Sequence, residues 1–265
     1  LLSCSDNSGS IFQSIFCEAS LLRKLLIMMK RLLVFQHMLW EGPGQHLIRS
    51  AKKLSVELEI VEVWHKPTPD ISSYDGLIVL GGGPNVNQEE EYPFLKSEKE
   101  TIHRSFEADM PYLGFCLGHQ LLADVLGADV GANFCRSVGF IHGQVTHEGH
   151  RHPVFQGIPK DLALFKWHSQ AVLPPVPEHI KVLVTSPDCK VEAISVDGKP
   201  YILGLQFDSH AASAVDARKW LEGDREWLSQ TPGVDAEAIL KDAQTHEALM
   251  GKQFEVFFSN YIRLI

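Results

Sequence analysis

Positive charge is in short supply: 24 Lys and Arg stand against 33 Asp and Glu, leaving a formal net charge of −9. That balance argues against nucleic-acid binding by broad phosphate neutralisation. Cysteine is scarce too. Cys4, Cys17, Cys116, Cys135 and Cys189 are odd in number and irregularly spaced. They form neither a disulfide framework nor a CxxC metal pair, and a reducing cytoplasm is the expected setting. No apolar run reaches the ~18 residues of a membrane span, because Arg23, Lys24, Lys30 and Arg31 interrupt the best candidate. The same charges lie within and after the apolar stretch, not ahead of it, which argues against a secretory leader. Internal repeats and low-complexity linkers are also missing. What remains is ordinary globular material: 265 residues, 45% hydrophobic and 22% charged, enough for one large α/β domain.

The chain begins at Leu1, and its first methionines, Met28 and Met29, directly precede a strand-like run, Arg31-Leu32-Leu33-Val34-Phe35. Residues 1–27 are therefore expected to be an extension, and residues 28–265 a single domain with its core at 30–210 and helices at 213–265. Strands are expected at 31–36, 57–64, 76–80 and 111–115. Helical patterns fall between them at 44–53 and 94–107, and another runs from His119 to Leu126. Such alternation predicts a parallel sheet covered on both faces. The second half reads as mostly β, at 137–147, 162–167, 181–185, 190–196 and 201–207. Two helices close it, at 213–229 and 235–263. The last carries Met250, Phe254, Phe257, Phe258, Tyr261 and Ile262 at helical spacing, a core-facing stripe.

Chemistry points first to Pro111-Tyr112-Leu113-Gly114-Phe115-Cys116-Leu117-Gly118-His119-Gln120. An apolar strand runs into a helix, and Cys116 sits at the junction with Gly114 and Gly118 two residues away on either side. Small neighbours tolerate the sharp, strained turn that presents a nucleophile at a helix N-terminus. Backbone amides there favour the thiolate. A second run, Gly81-Gly82-Gly83-Pro84, follows the strand at 76–80. Its free amides could face an oxyanion formed when Cys116 attacks a substrate. It is a poor phosphate loop, since no Lys-Ser/Thr follows and G-x-G-x-x-G is absent.

These residues resemble a known family. Gly114-Phe115-Cys116-Leu117-Gly118-His119-Gln120 matches the G-x-C-x-G-x-Q signature of class I glutamine amidotransferases. Gly81-Gly82-Gly83-Pro84 is similar to the family's oxyanion strand, Trp167-His168-Ser169 to its W/Y-H-S/G segment, and Gly204-Leu205-Gln206-Phe207 to the start of its G-x-Q-F-H-P-E. The layout looks most like stand-alone proteins related to the amidotransferase domain of GMP synthase. The resemblance implies a flavodoxin-like three-layer α/β sandwich around a central, mostly parallel sheet. It also implies hydrolysis of the glutamine side-chain amide by a Cys-His-Glu triad, without cofactor or metal. Cys116 would be the nucleophile. Gly82 or Gly83, with the Leu117 amide, would form the oxyanion hole, and Gln120, His168 and Ser169 would help hold glutamine or a related small amide. No ATP-binding loop of the SGG type is visible, so any use of the ammonia requires a synthetase partner.

One family motif is altered. Where H-P-E should follow Phe207, the chain reads Asp208-Ser209-His210. With a reference pKa of ~3.9, an ionised aspartate is a poor base toward a thiol and has no proton to give departing ammonia. Three arrangements stay open: an impaired Cys116/Asp208/His210 triad, a reversed one with His210 as base and Asp208 as its orienter, or recruitment of His168. On a strand, positions 208 and 210 would share a face but lie about 6–7 Å apart. Enzyme and degenerate binding module therefore remain as alternatives. The histidines at 142, 147, 150 and 152 read as an exposed loop, since no metal-ligand spacing accompanies them. Glu89-Glu90-Glu91 reads as a solvated approach to a helix.

Overall fold

Apolar runs such as Leu32-Leu33-Val34-Phe35 suit strands buried on both faces. In the computed structural model, which describes residues 29–265, all four of these side chains are fully buried. They lie in β1 (Arg31–Gln36), the second strand from one edge of a nine-stranded sheet. The other strands are β2 (Glu57–Glu62), β3 (Gly76–Val79), β4 (Tyr112–Phe115), β5 (Val130–Val145), β6 (Asp161–Val172), β7 (Ile180–Ser186), β8 (Cys189–Val196) and β9 (Lys199–Leu205). Their spatial order is β2-β1-β3-β4-β9-β8-β7-β5-β6. Pairings from β2 through to β9 are parallel, and those from β9 onward are antiparallel. The α/β sandwich is thus a mixed sheet, and the β-rich second half of the sequence is its antiparallel part.

Helices α1 (Gly44–Lys53) and α2 (Phe94–Glu107) connect parallel strands, and α3 (Leu117–Val125) leads from β4 to β5. After the short α4 (His147–Arg151), α5 (Ala214–Gly223), α6 (Arg225–Ser229) and α7 (Ala236–Leu264) complete the chain. Asp235 caps α7 by accepting from the Glu237 and Ala238 amides. From α7, Phe254, Phe257, Phe258 and Tyr261 pack with Leu32, Val34 and Leu113 of the strands, so the aromatic stripe is core. A second apolar cluster joins Leu33, Phe35, Leu77 and Val79 to Leu121 and Leu122 of α3. Strand side chains alternate between faces, and Leu32 and Leu33 accordingly enter different clusters. No helix among the described residues is long and apolar enough to cross a membrane.

Several expectations need correction. The helix expected at 213–229 is broken at Asp224, whose carboxylate turns aside to accept the Trp40 and Trp167 indole N–H groups. β5 starts at Val130 and β6 continues to Val172, because the two strands pair along most of their length across a register shift. The histidine-rich stretch is not a loop. His142 belongs to β5, His147 and His150 to α4, and His152 is buried with Nε2 3.2 Å from Ser195 Oγ. Glu89 is paired with Lys99 at 2.8 Å. The expectation for residues 1–27 lies outside the described residues.

Candidate active site

In open α/β sheets, chemistry gathers beyond the carboxyl ends of parallel strands. At the end of β4, Cys116 adopts φ 45°, ψ −102°, a conformation that favours glycine. Surrounding hydrogen bonds hold it there. The Cys116 amide donates to Leu205 O (2.8 Å), and the Gln120 amide donates to Cys116 O (3.0 Å). Gly118 donates to Leu80 O (3.2 Å) with no room for a side chain, because a Cβ there would collide with the Val79 carbonyl. α3 therefore begins at Leu117, two residues before the expected start. The predicted elbow is present.

One cavity is lined by Cys116, by Gly82 and Gly83 after β3, by Gln120 of α3, and by His168 and Ser169 of β6. The Leu117 amide faces the Cys116 sulfur. Gln206 Nε2 donates to that sulfur at 3.6 Å, and Gln120 Nε2 donates to Gln206 Oε1 (3.2 Å) and Gln170 O (3.1 Å). Thus the two glutamines of the recognised motifs tie β4, β6 and β9 together behind Cys116. Trp167 and Trp227 add apolar walls, and Glu41 and Asp224 add carboxylates. No Lys or Arg is among the lining residues.

Electrostatics differ from the expectation in two ways. Burial pushes the Cys116 thiol well above its ordinary value, and the charges of Asp208 and Glu41 push it further. The Leu117 amide and Gln206 oppose this less strongly, so the helix terminus does not leave the thiol ionised. Asp208, moreover, is not an ordinary aspartate. It is fully buried, neither oxygen has a hydrogen-bond partner, and burial, with Glu192 nearby, raises its carboxyl well above the usual range. A carboxyl shifted in this direction is a stronger proton acceptor than an ordinary aspartate.

Positions 208 and 210 do not share a strand face. β9 stops at Leu205, and a single turn of tight helix at Ser209–Ala211 brings His210 Nδ1 to 3.9 Å from Asp208 Oδ1. The His210 ring packs at a tilt with its centroid 4.2 Å from that of Phe115 and meets Trp220 edge-on, and it does not line the cavity. Burial lowers its pKa to about 3. His168 is also held neutral, at about 3, by burial and by Lys166, and its Nδ1 is 2.9 Å from Gln170 O.

Beneath the cavity, single donor atoms of His168, Cys189 and Glu192 lie within 4.8 Å of one another, a possible metal-ligand set. Lys166 already contacts the Glu192 carboxylate and reaches Asp188 at 2.7 Å, while burial raises the Cys189 thiol to about 12. The ammonium supplies the positive charge a cation would bring.

Besides Asp224 and Trp227, three further residues at the site escaped the sequence reading. Glu41 lines the cavity from the segment after β1. His37, also after β1, places Nδ1 2.8 Å from Gly81 O and Nε2 2.9 Å from Glu98 Oε1. Both His37 and Glu98 side chains are fully buried. The available signal was positional: residues 37–43 follow the carboxyl end of a parallel strand.

Comparison with known proteins supports the resemblance. The family described as glutamine amidotransferase class-I matches residues 43–217. The glutamine-hydrolyzing GMP synthase subunit of Archaeoglobus fulgidus is 33% identical over 168 residues, 63% of this chain and 82% of the relative. Its counterpart from Methanosphaera stadtmanae is 30% identical over 174 residues, with the same coverage. Among solved structures, a glutamine amidotransferase of Thermotoga maritima superimposes with TM-score 0.79 at 24% identity, covering 88% of this chain and 98% of that one.

Proposed function

The chain belongs to the class-I glutamine amidotransferases, and on that premise we propose that it hydrolyses the side-chain amide of glutamine, or a related small amide, through a thioester on Cys116. The observation that carries this reading is the strained Cys116 elbow opening on a cavity shared with Gly82 and Gly83. The sulfur attacks the amide carbon, and amides of Gly82 or Gly83 and Leu117 stabilise the oxyanion. Ammonia leaves, and water resolves the thioester. Gln120, His168 and Ser169 hold the substrate. Asp208 takes the place of the family's histidine as proton acceptor, while His210 acts through Asp208 as a positioning residue.

Relatives named as glutamine-hydrolyzing subunits of GMP synthase support a synthetase partner that accepts the ammonia. In this reading residues 28–265 work as one domain in the cytoplasm. Ammonia release from glutamine should be measurable with the wild type and fall to background in Cys116→Ala. The raised thiol favours a second reading, a module that binds glutamine without turning it over. Saturable glutamine binding with no Cys116-dependent ammonia would select it.

A further inference from the structure

Gly81 is the meeting point of three groups. The position a Cβ would occupy there lies 2.9 Å from Glu41 Oε2, 3.4 Å from Cys116 Cβ and 3.6 Å from Asp208 Oδ1. Two carboxyl groups from distant segments, one after β1 and one after β9, thus converge on the nucleophile. Glu41 is 6% exposed and opens on the cavity; Asp208 is fully buried and unpartnered behind it. We propose that Glu41 and Asp208 form one catalytic carboxyl pair that holds a single proton beside Cys116, with Glu41 serving the leaving group.

The inference rests on the amide-hydrolysis reading above and supplies the acid that reading lacks. Two carboxylates crowded together away from water do not both ionise, because each negative charge disfavours the other. The groups facing the pair strengthen this. Asp224 and Asp208 act on Glu41, and Glu192 acts on Asp208, the charge of Glu192 being shared with the Lys166 ammonium that contacts it. His210, 3.9 Å from Asp208, is held neutral by burial and offers no compensating cation. His37 lies across Gly81 with its charge directed to Glu98.

Protons then balance through the cycle. The resting pair holds one proton; in the reacting state that proton lies on Glu41, leaving Asp208 ionised beside the Cys116 thiol. Asp208 takes the thiol proton as sulfur bonds to the amide carbon. Glu41 gives its proton to nitrogen as the C–N bond breaks and ammonia departs. Water then attacks the thioester and loses a proton to Glu41. The C–S bond breaks, and the sulfur recovers its proton from Asp208. Ammonia and the glutamate product leave, the new carboxyl carrying the water's second proton into solvent, and the pair again holds one proton.

The test uses the full chain with Glu41→Gln, Asp208→Asn and the double variant. In Glu41→Gln, kcat for ammonia release should fall about 10²–10³-fold with KM within about threefold. The alkaline limb of the pH profile, set by the proton on Glu41, should disappear. Retention of kcat within threefold overturns the proposal. Iodoacetamide alkylation, read by mass at the Cys116 peptide, tests the pair without turnover. On this proposal a single replacement leaves the remaining carboxyl to carry the pair's one negative charge beside the thiol. Each single variant should alkylate within about twofold of wild type, and the double variant at least about tenfold faster. A step at each single change, or none in the double, overturns proton sharing. If Glu41→Gln does not fold, Glu41→Met carries the same expectation. A wild type that releases no ammonia refutes the amide-hydrolysis reading, while the alkylation series still decides the pair.

Discussion

Two buried histidine–carboxyl pairs flank Cys116, and they are opposites. His37 and Glu98 are within 2.9 Å, and the second imidazole nitrogen is 2.8 Å from Gly81 O. His210 and Asp208 stand 3.9 Å apart, with His210 Nδ1 and both Asp208 oxygens unpartnered. Burial pulls the His37 pKa down, but the Glu98 charge and hydrogen bond outweigh it and the net shift is upward. At His210 burial prevails, and the pKa drops to about 3. A satisfied buried pair holds a backbone in place. An unsatisfied one is a cost that a fold retains where groups must exchange protons.

The largest expected effect comes from breaking the satisfied pair. Glu98→Ala strands His37 in the interior and should cost about 3–5 kcal/mol. Thermal unfolding should then start roughly 10 °C lower. The raised pKa adds a sign: His37 contributes its full stability below about pH 6.5 and loses it as pH rises through its folded-state value. An unchanged melting temperature in Glu98→Ala would remove the clamp from the account.

His210→Phe sharpens the other side. The ring already packs on Phe115 and Trp220, so an apolar substitute removes an unpartnered nitrogen and should stabilise by about 1–2 kcal/mol at pH 7. Because its folded pKa is depressed, His210 makes the wild type lose stability as pH falls from about 6.5 toward 3. Urea titrations of the variant should show a shallower loss across that range. Equal slopes would mean that His210 is not the titrating group. Asp208→Asn should have the smallest effect, less than about 1 kcal/mol, since no hydrogen bond to either oxygen is lost. A loss of several kcal/mol would show that Asp208 is anchored after all.

The parallel half of the fold is legible in the sequence because its signals are local. Leu32 to Phe35 form an uninterrupted apolar run, and the patterns at 44–53 and 94–107 become Gly44–Lys53 and Phe94–Glu107. Cys116 is equally legible, since Gly114 and Gly118 belong to the same turn. The carboxyl chemistry is not. A reference pKa describes Asp208 in water, whereas its burial depends on elements brought together only by the fold. Glu41 and Cys116 are 75 positions apart, and no spacing rule joins them. The break at Asp224 is hidden for the same reason, because it answers to indoles at positions 40 and 167.

The place of β9 bears on how the protein comes into being. This late strand lies between β4 and β8, and its Leu205 carbonyl receives the Cys116 amide. Until residues 199–205 have been synthesised, β4 is an open sheet edge, and the loop carrying the thiol lacks its anchor. Gln206, which reaches the sulfur, and Asp208 follow directly after. A nascent chain that has not yet reached β9 therefore still carries an unfinished site and a strand ready to pair with another chain. Cys116 reaches its final setting only when this later strand closes the edge.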